Sequence, residues 1–423
     1  MSRNFLSLHN FKEMNFIYNI GISSYRLAAK LVSPWNPKAK KMVQGQDSTM
    51  DYLTQTLDPK GGYIWIHTAS LGEFEQGRPL IEKIKQEHPD VKILLSFFSP
   101  SGYEVRKGYD KVDAVCYLPI DTPKRVKAFR DVVKPKMAIF VKYEFWGNYL
   151  SELKSRDVPT YIISSIFRPK QIFFKPWGGM FRKMLGCFTR LYVQNDESRE
   201  LLHGIGVDNV TVCGDTRLDR VLQIKAQAQD FPAIAAMTAS DNPTLVMGSS
   251  WEPDEDIIIP YFNSHPEMKL IIAPHEFDEN RLDALMARIK RPVARYTQLE
   301  GKDPAALDCL IIDCFGILSS LYRYGDVAYV GGGFGAGIHN VPEAAVYGIP
   351  VIFGPKHEKF KEAIELNACG GGFTIGNAWQ CHEILDKLLS DNNALQTAGG
   401  AASNYITTHT GATERIYNDL FCV

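Results

Sequence analysis

The sequence predicts two doubly wound α/β domains with a cleft between them, and three observations lead there. From Gly62 onward, short β-branched apolar runs alternate with amphipathic stretches long enough for crossover helices, the pattern of parallel βα units. The alternation pauses at Leu218–Asn242, an Ala/Gln/Asp-rich stretch, and then resumes. The 423 residues suit two or three domains at about 100–200 residues each, with two favoured.

The elements follow in chain order. Residues 1–45 read as a membrane-associating segment. Its apolar stretch Phe16–Val32 is interrupted by Arg26 and Lys30 and falls short of the roughly 20 residues that span a bilayer. On a helix, Phe16, Ile20, Leu27 and Leu31 lie near one face with Arg26 and Lys30 at its edge, and Trp35, Lys38, Lys40 and Lys41 follow. That mixture suits an interfacial helix on anionic lipid; a helix packed on the core is the plainer alternative. A secretory leader is not indicated, because no basic n-region, unbroken apolar core and small-residue cleavage site occur in sequence.

Residues 46–217 form the first expected domain, with strands at Tyr63–His67, Lys92–Phe97, Ala114–Pro119, Met137–Val141, Thr160–Ser164, Arg190–Gln194 and Val210–Cys213. Helical patterns between them include Pro79–Glu87, Pro123–Val133, Trp146–Lys154 and Glu197–His203. Residues 218–242 read as a linker. Residues 243–423 form the second domain, with strands at Thr244–Gly248, Lys269–Ala273, Pro292–Tyr296, Leu310–Asp313, Val327–Gly331, Val351–Phe353 and Gly372–Ile375. Helices there are expected at Asn280–Lys290, Val341–Tyr347, Lys359–Asn367 and Cys381–Leu389. Ligands of such folds sit at the carboxyl ends of strands, where strand order reverses.

Composition narrows the function. With 45% hydrophobic and 22% charged residues, the chain is an ordinary globular protein and neither disordered nor a small disulfide-stapled scaffold. The net charge of −1 gives no sign of nucleic-acid binding. That total is uneven: residues 1–50 carry +5, leaving −6 on the remainder, and Val158–Asn195 holds six Lys/Arg and no acid. Eight single cysteines, without a CxxC or a His pair at zinc spacing, read as buried free thiols in a reducing compartment.

Chemistry is expected in the loops after the strands. The first strand runs into His67-Thr68-Ala69-Ser70-Leu71-Gly72-Glu73, placing a carboxylate at its mouth. Such a group serves as a general base or, more plainly, as an acid on a helix dipole. The fourth strand ends in Lys142-Tyr143-Glu144-Phe145-Trp146, with Glu144 a second carboxylate or the partner of Lys142. Ser99 and Ser101 stand before a helix start, where they hold an anion or cap the helix. In the second half, five glycines lie in Gly331–Gly337, followed by His339, Asn340, Pro342 and Glu343. Freed N–H groups and a helix start there read as an anion cradle. Ser249, His275 and the Phe315-Gly316-Ile317 turn end strands nearby. No G-x-S-x-G elbow, HExxH or dense acid cluster supports Ser-His-Asp or metal catalysis.

Together these pieces resemble the Kdo transferases of lipopolysaccharide synthesis. The resemblance runs through Trp65-Ile66-His67, Ser70–Glu73, Ser99-Pro100-Ser101-Gly102, Leu118–Pro123 and Glu144-Phe145-Trp146. It continues through Gly248-Ser249-Ser250, Ala273-Pro274-His275, Asp326-Val327-Ala328, Gly331-Gly332, His339-Asn340, Glu343 and Gly354-Pro355. It implies a GT-B fold of two Rossmann-like domains, the first binding acceptor and the second binding donor. It implies transfer of 3-deoxy-D-manno-octulosonic acid (Kdo) from CMP-Kdo, a co-substrate, to a lipid A precursor of the lipid IVA type, with inversion and with no cofactor or metal. Glu73 would then be the base and Glu144 a second catalytic carboxylate. Asn340 and Glu343 would contact CMP, with Pro274 and Phe315–Ile317 near the nucleotide. Ser249, His275, Gly333 and His339 complete the expected donor side, and Ser99, Ser101, Lys175, Arg182 and Lys183 the acceptor side. The basic, aromatic blocks would meet a phosphorylated lipid at the cytoplasmic face of an inner membrane. His275 stands where the family commonly has Arg, Lys142 where an acid is common, Ile317 for a frequent Glu, and Gly214–Arg217 for a Gly-Asn turn. A GT-B enzyme using a UDP-sugar and a lipid-linked acceptor, and a non-catalytic membrane-surface scaffold, stay open as alternatives.

Overall fold

The computed structural model describes residues 3–422. Two compact units divide the chain. One holds everything up to Arg220 together with the stretch from Gly411 onward, and the other runs from Val221 to Thr410.

The first unit contains β1 (Tyr63–Thr68), β2 (Ile93–Phe97), β3 (Ala114–Tyr117), β4 (Pro135–Val141), β5 (Thr160–Ser165), β6 (Arg190–Val193) and β7 (Val210–Val212). They lie in the order β3-β2-β1-β4-β5-β6-β7, every pairing parallel. Side chains along a strand alternate between faces. Tyr63 and Trp65 therefore enter one core with Phe129, Phe140 and Tyr149, while Ile64 and Ile66 enter the other with Phe74 and Ile84. The helix after β1, Leu71–Glu87, packs in the second of these cores, and the helix after β4, Gly147–Ser155, packs in the first. The chain thus leaves β1 and β4 toward opposite faces, and the ends of these neighbouring strands stay uncovered.

The second unit contains β8 (Thr244–Ser250), β9 (Lys269–Pro274), β10 (Val293–Arg295), β11 (Cys309–Ile311), β12 (Val327–Val330), β13 (Val351–Phe353) and β14 (Gly372–Thr374). Its order is β10-β11-β9-β8-β12-β13-β14, again all parallel. Here the order reverses between β8 and β12.

Several elements differ from the sequence reading. The first crossover helix begins at Leu71, with Pro79 inside it. Proline is a strong start signal, but packing of Phe74 and the close seat of Gly77 against Val141 and Thr68 carry the helix through it. The stretch read as a linker holds helices Thr216–Ala226 and Pro232–Met237, the latter burying Ile234 and Met237. Residues 411–423, assigned to the second domain from sequence, return to the first unit. Ile416 and Tyr417 of the helix Ala412–Phe421 pack with Ile93 and Tyr192. Asp219 fastens the return, accepting from the Gly411 and Thr413 N–H groups at 2.6 Å each.

The N-terminal helix spans Arg3–Val32. It is pinned on one side: Tyr18 donates to Asp121 at 2.6 Å and accepts from the Gly147 N–H at 3.0 Å, and Asn148 donates to Asn19 at 2.8 Å. Its apolar Phe16, Ile17, Ile20, Leu27 and Leu31 are each more than half exposed. No helix among the described residues is long and apolar enough to cross a membrane. In the second basic block, Phe167 and Phe173 are core residues rather than lipid-facing ones, whereas Trp177 is exposed. Arg182, expected at the acceptor, instead donates to the Phe173 and Lys175 carbonyls at 2.9 Å, so its guanidinium holds its own turn together. Cys116, Cys213, Cys309 and Cys381 are buried.

Tyr18→Phe removes the hydroxyl that joins the Gly147 N–H to Asp121. Urea unfolding is expected to show a loss of about 1–3 kcal/mol, the cost of stranding a buried polar group.

Candidate active site

The uncovered ends of β1 and β4 bring the two carboxylates into one neighbourhood. Glu73 sits in the first turn of the helix that leaves β1, half-buried, and accepts from the Ala69 N–H at 2.6 Å. It stands in the helix's first turn, as the plainer dipole reading expected, and ties back to the loop before it. That tie uses one carboxylate oxygen, Oε2. Burial, and then the charge of Glu144, raise the Glu73 carboxyl above its usual value, against the opposing pull of the Ala69 N–H, His67 and Lys142. A carboxyl raised by burial and by a neighbouring carboxylate is a common mark of an acid–base site.

Glu144 is buried and bonds to groups that the sequence did not nominate. His67 Nε2 lies 3.0 Å from its Oε2, and the Trp146 indole N–H donates to the same oxygen at 2.6 Å. Phe98 lies against Trp146 with ring centroids 4.8 Å apart. Just before Glu144, Lys142 adopts a left-handed φ of 69°, a strain of about 1–2 kcal/mol for a residue with a Cβ. Ser99 caps its helix by accepting from Ser101 N–H at 3.3 Å, and its own N–H donates to the Ala69 carbonyl at 2.7 Å. This fits the capping alternative and stitches the serine loop to the Glu73 loop.

The second unit gathers its expected residues at the β8/β12 reversal. Ser249, at the end of β8, is again left-handed, with φ of 52°. Trp251, His275 and His339 stack, with centroids 4.8 Å apart for the first pair and 4.3 Å for the second. The Trp251 indole N–H donates to His339 Nε2 at 3.3 Å, so that nitrogen carries a lone pair. Burial, and then the neighbouring His275, lower His339 to about 4. Asn340 donates to Glu343 at 2.6 Å. Phe315 stacks on Phe277 at 4.7 Å and is 78% exposed, on a turn made possible by Gly316 at φ 91°.

Several N–H groups of the glycine run expected to cradle an anion are engaged within the fold. Those at Gly331, Gly335, Gly337 and His339 bond to backbone carbonyls of Gly248, Gly332 or Gly331. The Gly332 N–H donates to buried Asp254 at 2.9 Å, and Asp254 also accepts from Trp251 N–H and the Tyr329 hydroxyl. Glycine is required here by close approach: a Cβ on Gly333 would stand 2.5 Å from the Gly354 Cα. The run is a packed turn organised around a carboxylate. Asp254 was missed because an acid in a helix's first turn reads as ordinary dipole compensation.

Comparison with known proteins places this geometry. Residues 37–220 match the family described as 3-deoxy-D-manno-octulosonic-acid transferase (kdotransferase). A 3-deoxy-D-manno-octulosonic acid transferase of Aquifex aeolicus is 30% identical over 342 residues, spanning 78% of this chain and 86% of the relative. The chain belongs to the Kdo transferase family. A Bordetella pertussis Kdo transferase is 26% identical over 382 residues, covering 86% of this chain and 87% of its own. As a member of this family the protein is a glycosyltransferase, and its fold is that of GT-B proteins. Acinetobacter baumannii MurG matches with a TM-score of 0.55 at 11% identity, over 86% of this chain and 100% of its own. The UDP-GlcNAc 2-epimerase of Methanocaldococcus jannaschii matches with a TM-score of 0.53 at 13% identity, over 82% and 99%. These two likenesses bear on the fold alone.

His339 gives this Kdo transferase a pH signature. A histidine at 6.5 when unfolded and about 4 when folded binds more protons in the unfolded chain, so stability falls as pH drops from about 6.5 toward 4. His339→Asn is expected to shrink the fall in Tm between pH 7.5 and pH 5 by roughly 2–4 °C for each kcal/mol recovered, read by thermal melts at both pH values.

Proposed function

We propose that the protein transfers Kdo from CMP-Kdo to a sugar hydroxyl of a phosphorylated lipid A precursor of the lipid IVA type, inverting the anomeric centre. CMP-Kdo is a co-substrate, and no resident cofactor or metal takes part. The observation that carries this reading is the carboxylate pair at the β1/β4 reversal, with Glu73 held above the usual carboxylate range by burial and by Glu144.

The steps balance simply. Glu73 takes the proton of the acceptor hydroxyl, the oxygen attacks the Kdo anomeric carbon from the face opposite CMP, and the bond to the phosphate oxygen breaks with its electron pair leaving on CMP. A carboxylate with raised basicity lies closer to the proton it must remove, and a general base contributes about 10²–10⁴-fold. Glu144 supplies negative charge beside the base and, through it, sets that basicity. On the donor side, Asn340 and Glu343 face the ribose, Pro274 and the Phe315–Ile317 turn take the base, and Ser249, Gly333, His275 and His339 surround the phosphate and Kdo carboxylate. Neutral His339 acts there as a hydrogen-bond donor through Nδ1, a reading supported by the indole bond to Nε2. Ser99, Ser101, Lys175 and Lys183 serve the acceptor, and Arg182 shapes the turn that carries Lys175.

Glu73→Gln is expected to leave CMP affinity within about twofold while lowering radiolabelled Kdo transfer by at least about 10²-fold. Transfer near the wild-type rate would overturn Glu73 as base.

The acceptor's acyl chains require contact with a lipid surface, which we assign to the exposed Ile17, Ile20, Leu27 and Leu31 face, with Lys38, Lys40 and Lys41 following. The location that follows is peripheral, on the cytoplasmic face of an inner membrane. Leu27→Glu with Leu31→Glu should abolish co-sedimentation with phosphatidylglycerol vesicles while CMP binding persists.

A further inference from the structure

We propose that Trp65, Ser96 and His67 form a one-way hydrogen-bond chain that holds the Glu144 side chain in place beside Glu73, which makes His67 a positioning residue for the transfer reaction. The proposal rests on the reading of Glu73 as the base.

The direction of the chain follows from what each group can do. An indole N–H is a donor only. Trp65 Nε1 lies 2.7 Å from Ser96 Oγ, so that oxygen accepts from Trp65 and keeps its own hydrogen to give. His67 Nδ1 lies 2.9 Å from Ser96 Oγ, and His67 Nε2 lies 3.0 Å from Glu144 Oε2. The Trp146 indole N–H also approaches His67 Nε2, at 3.2 Å, but its short bond is the 2.6 Å one to Glu144 Oε2. Of the two neutral tautomers, the one that meets both ring contacts has Nδ1 accepting from the serine and the Nε2–H donating to Glu144. Trp146 Nε1, again a donor only, lies 2.6 Å from the same Oε2. Two N–H donors thus converge on one oxygen of Glu144, which accepts from both.

The chain is sealed and stiff. His67 and Ser96 are 0% exposed and Trp65 1%. The His67 ring is bracketed by Phe140 and Trp65, with centroids 5.8 Å and 6.3 Å away. Its position follows from strand alternation, since His67 shares the face of Tyr63 and Trp65, the side on which the helix after Glu144 packs.

The serine hydroxyl is the control point. The Ser96 carbonyl also lies 3.1 Å from Nδ1 and competes to accept a proton from it. Without the hydroxyl, only that carbonyl remains, and Nδ1 takes the hydrogen. The Nε2 lone pair then faces Glu144 Oε2, a contact that requires an added proton on one of the two. Whichever atom takes it, the cluster loses one negative charge that Glu73 feels. Besides the His67–Glu144 pair, Lys142 and the Ala69 N–H act on Glu73; only the pair changes.

Ser96→Ala tests this without touching either carboxylate. The acid limb of the kcat–pH profile is expected to move down by about 0.5 unit, and kcat at pH 7.5 to fall about two- to threefold, as a weaker base dictates. KM for CMP-Kdo and Tm should stay close to wild type. An unmoved acid limb with unchanged kcat would overturn the chain. Imidazole ¹⁵N NMR of the unmodified protein gives a second test that needs no stable variant, with His67→Gln used only to assign the signals. The chain requires the hydrogen on Nε2 and a bare Nδ1; the reverse tautomer would contradict it. If Glu73→Gln is inactive but Ser96→Ala has a wild-type profile, this chain alone fails. If Glu73→Gln stays active, the base assignment fails first.

Discussion

The reversal of strand order between β1 and β4 is the constraint on which the rest of the catalytic arrangement depends. Neighbouring parallel strands whose crossover helices leave toward opposite faces cannot cover their own carboxyl ends. The loops after them must supply the side chains found there. One delivers Glu73 from a helix packed on the Ile64/Ile66 face. The other delivers Glu144 just ahead of a helix packed on the Trp65/Phe140 face. Two acids that lie 71 residues apart in sequence (73 and 144) thus meet through topology rather than through any local motif.

The same alternation explains why the two acids differ. Glu73 is half-buried, takes one backbone N–H and feels its neighbour's charge. Glu144 is buried against His67 and Trp146, both of which belong to the Trp65 side of the sheet. A single strand, β1, therefore builds both environments: its even positions, Ile64 and Ile66, floor the helix that carries Glu73, and its odd positions, Trp65 and His67, hold Glu144. The second unit reuses the plan. Its reversal lies between β8 and β12, and there Asp254, a buried carboxylate, organises the glycine turn beneath the Trp251–His275–His339 stack.

Much of the fold was legible because parallel strands buried on both faces write near-continuous apolar runs. Thr160–Ser164, Val327–Gly331 and Val351–Phe353 could be read with ends within about two residues, the usual uncertainty of boundaries. The helix Pro123–Val133 was legible from its proline start and amphipathic spacing, whereas Leu71–Glu87 was cut short because Pro79 imitates the same signal. The return of Ala412–Phe421 was not legible, since an amphipathic helix does not say which core it covers. In the site, Glu73 and Glu144 stood out as acids at strand ends. His67, Ser96, Trp146 and Asp254 did not, because each reads as ordinary core or cap until its partner, distant in sequence, is in place. Arg182 shows the reverse case: a basic residue among aromatics suggests lipid, yet the Phe173 and Lys175 carbonyls already engage it.

The central claim is that this member of the Kdo transferase family joins Kdo from CMP-Kdo to a lipid A precursor through base-assisted inversion. Mass spectrometry and NMR of the product formed from CMP-Kdo and a tetra-acylated lipid A precursor test it most directly. The account requires a Kdo–lipid adduct whose anomeric configuration is opposite to that of the donor, with one CMP released for each Kdo transferred. An adduct that retains the donor configuration, or CMP release without any lipid product, would contradict it.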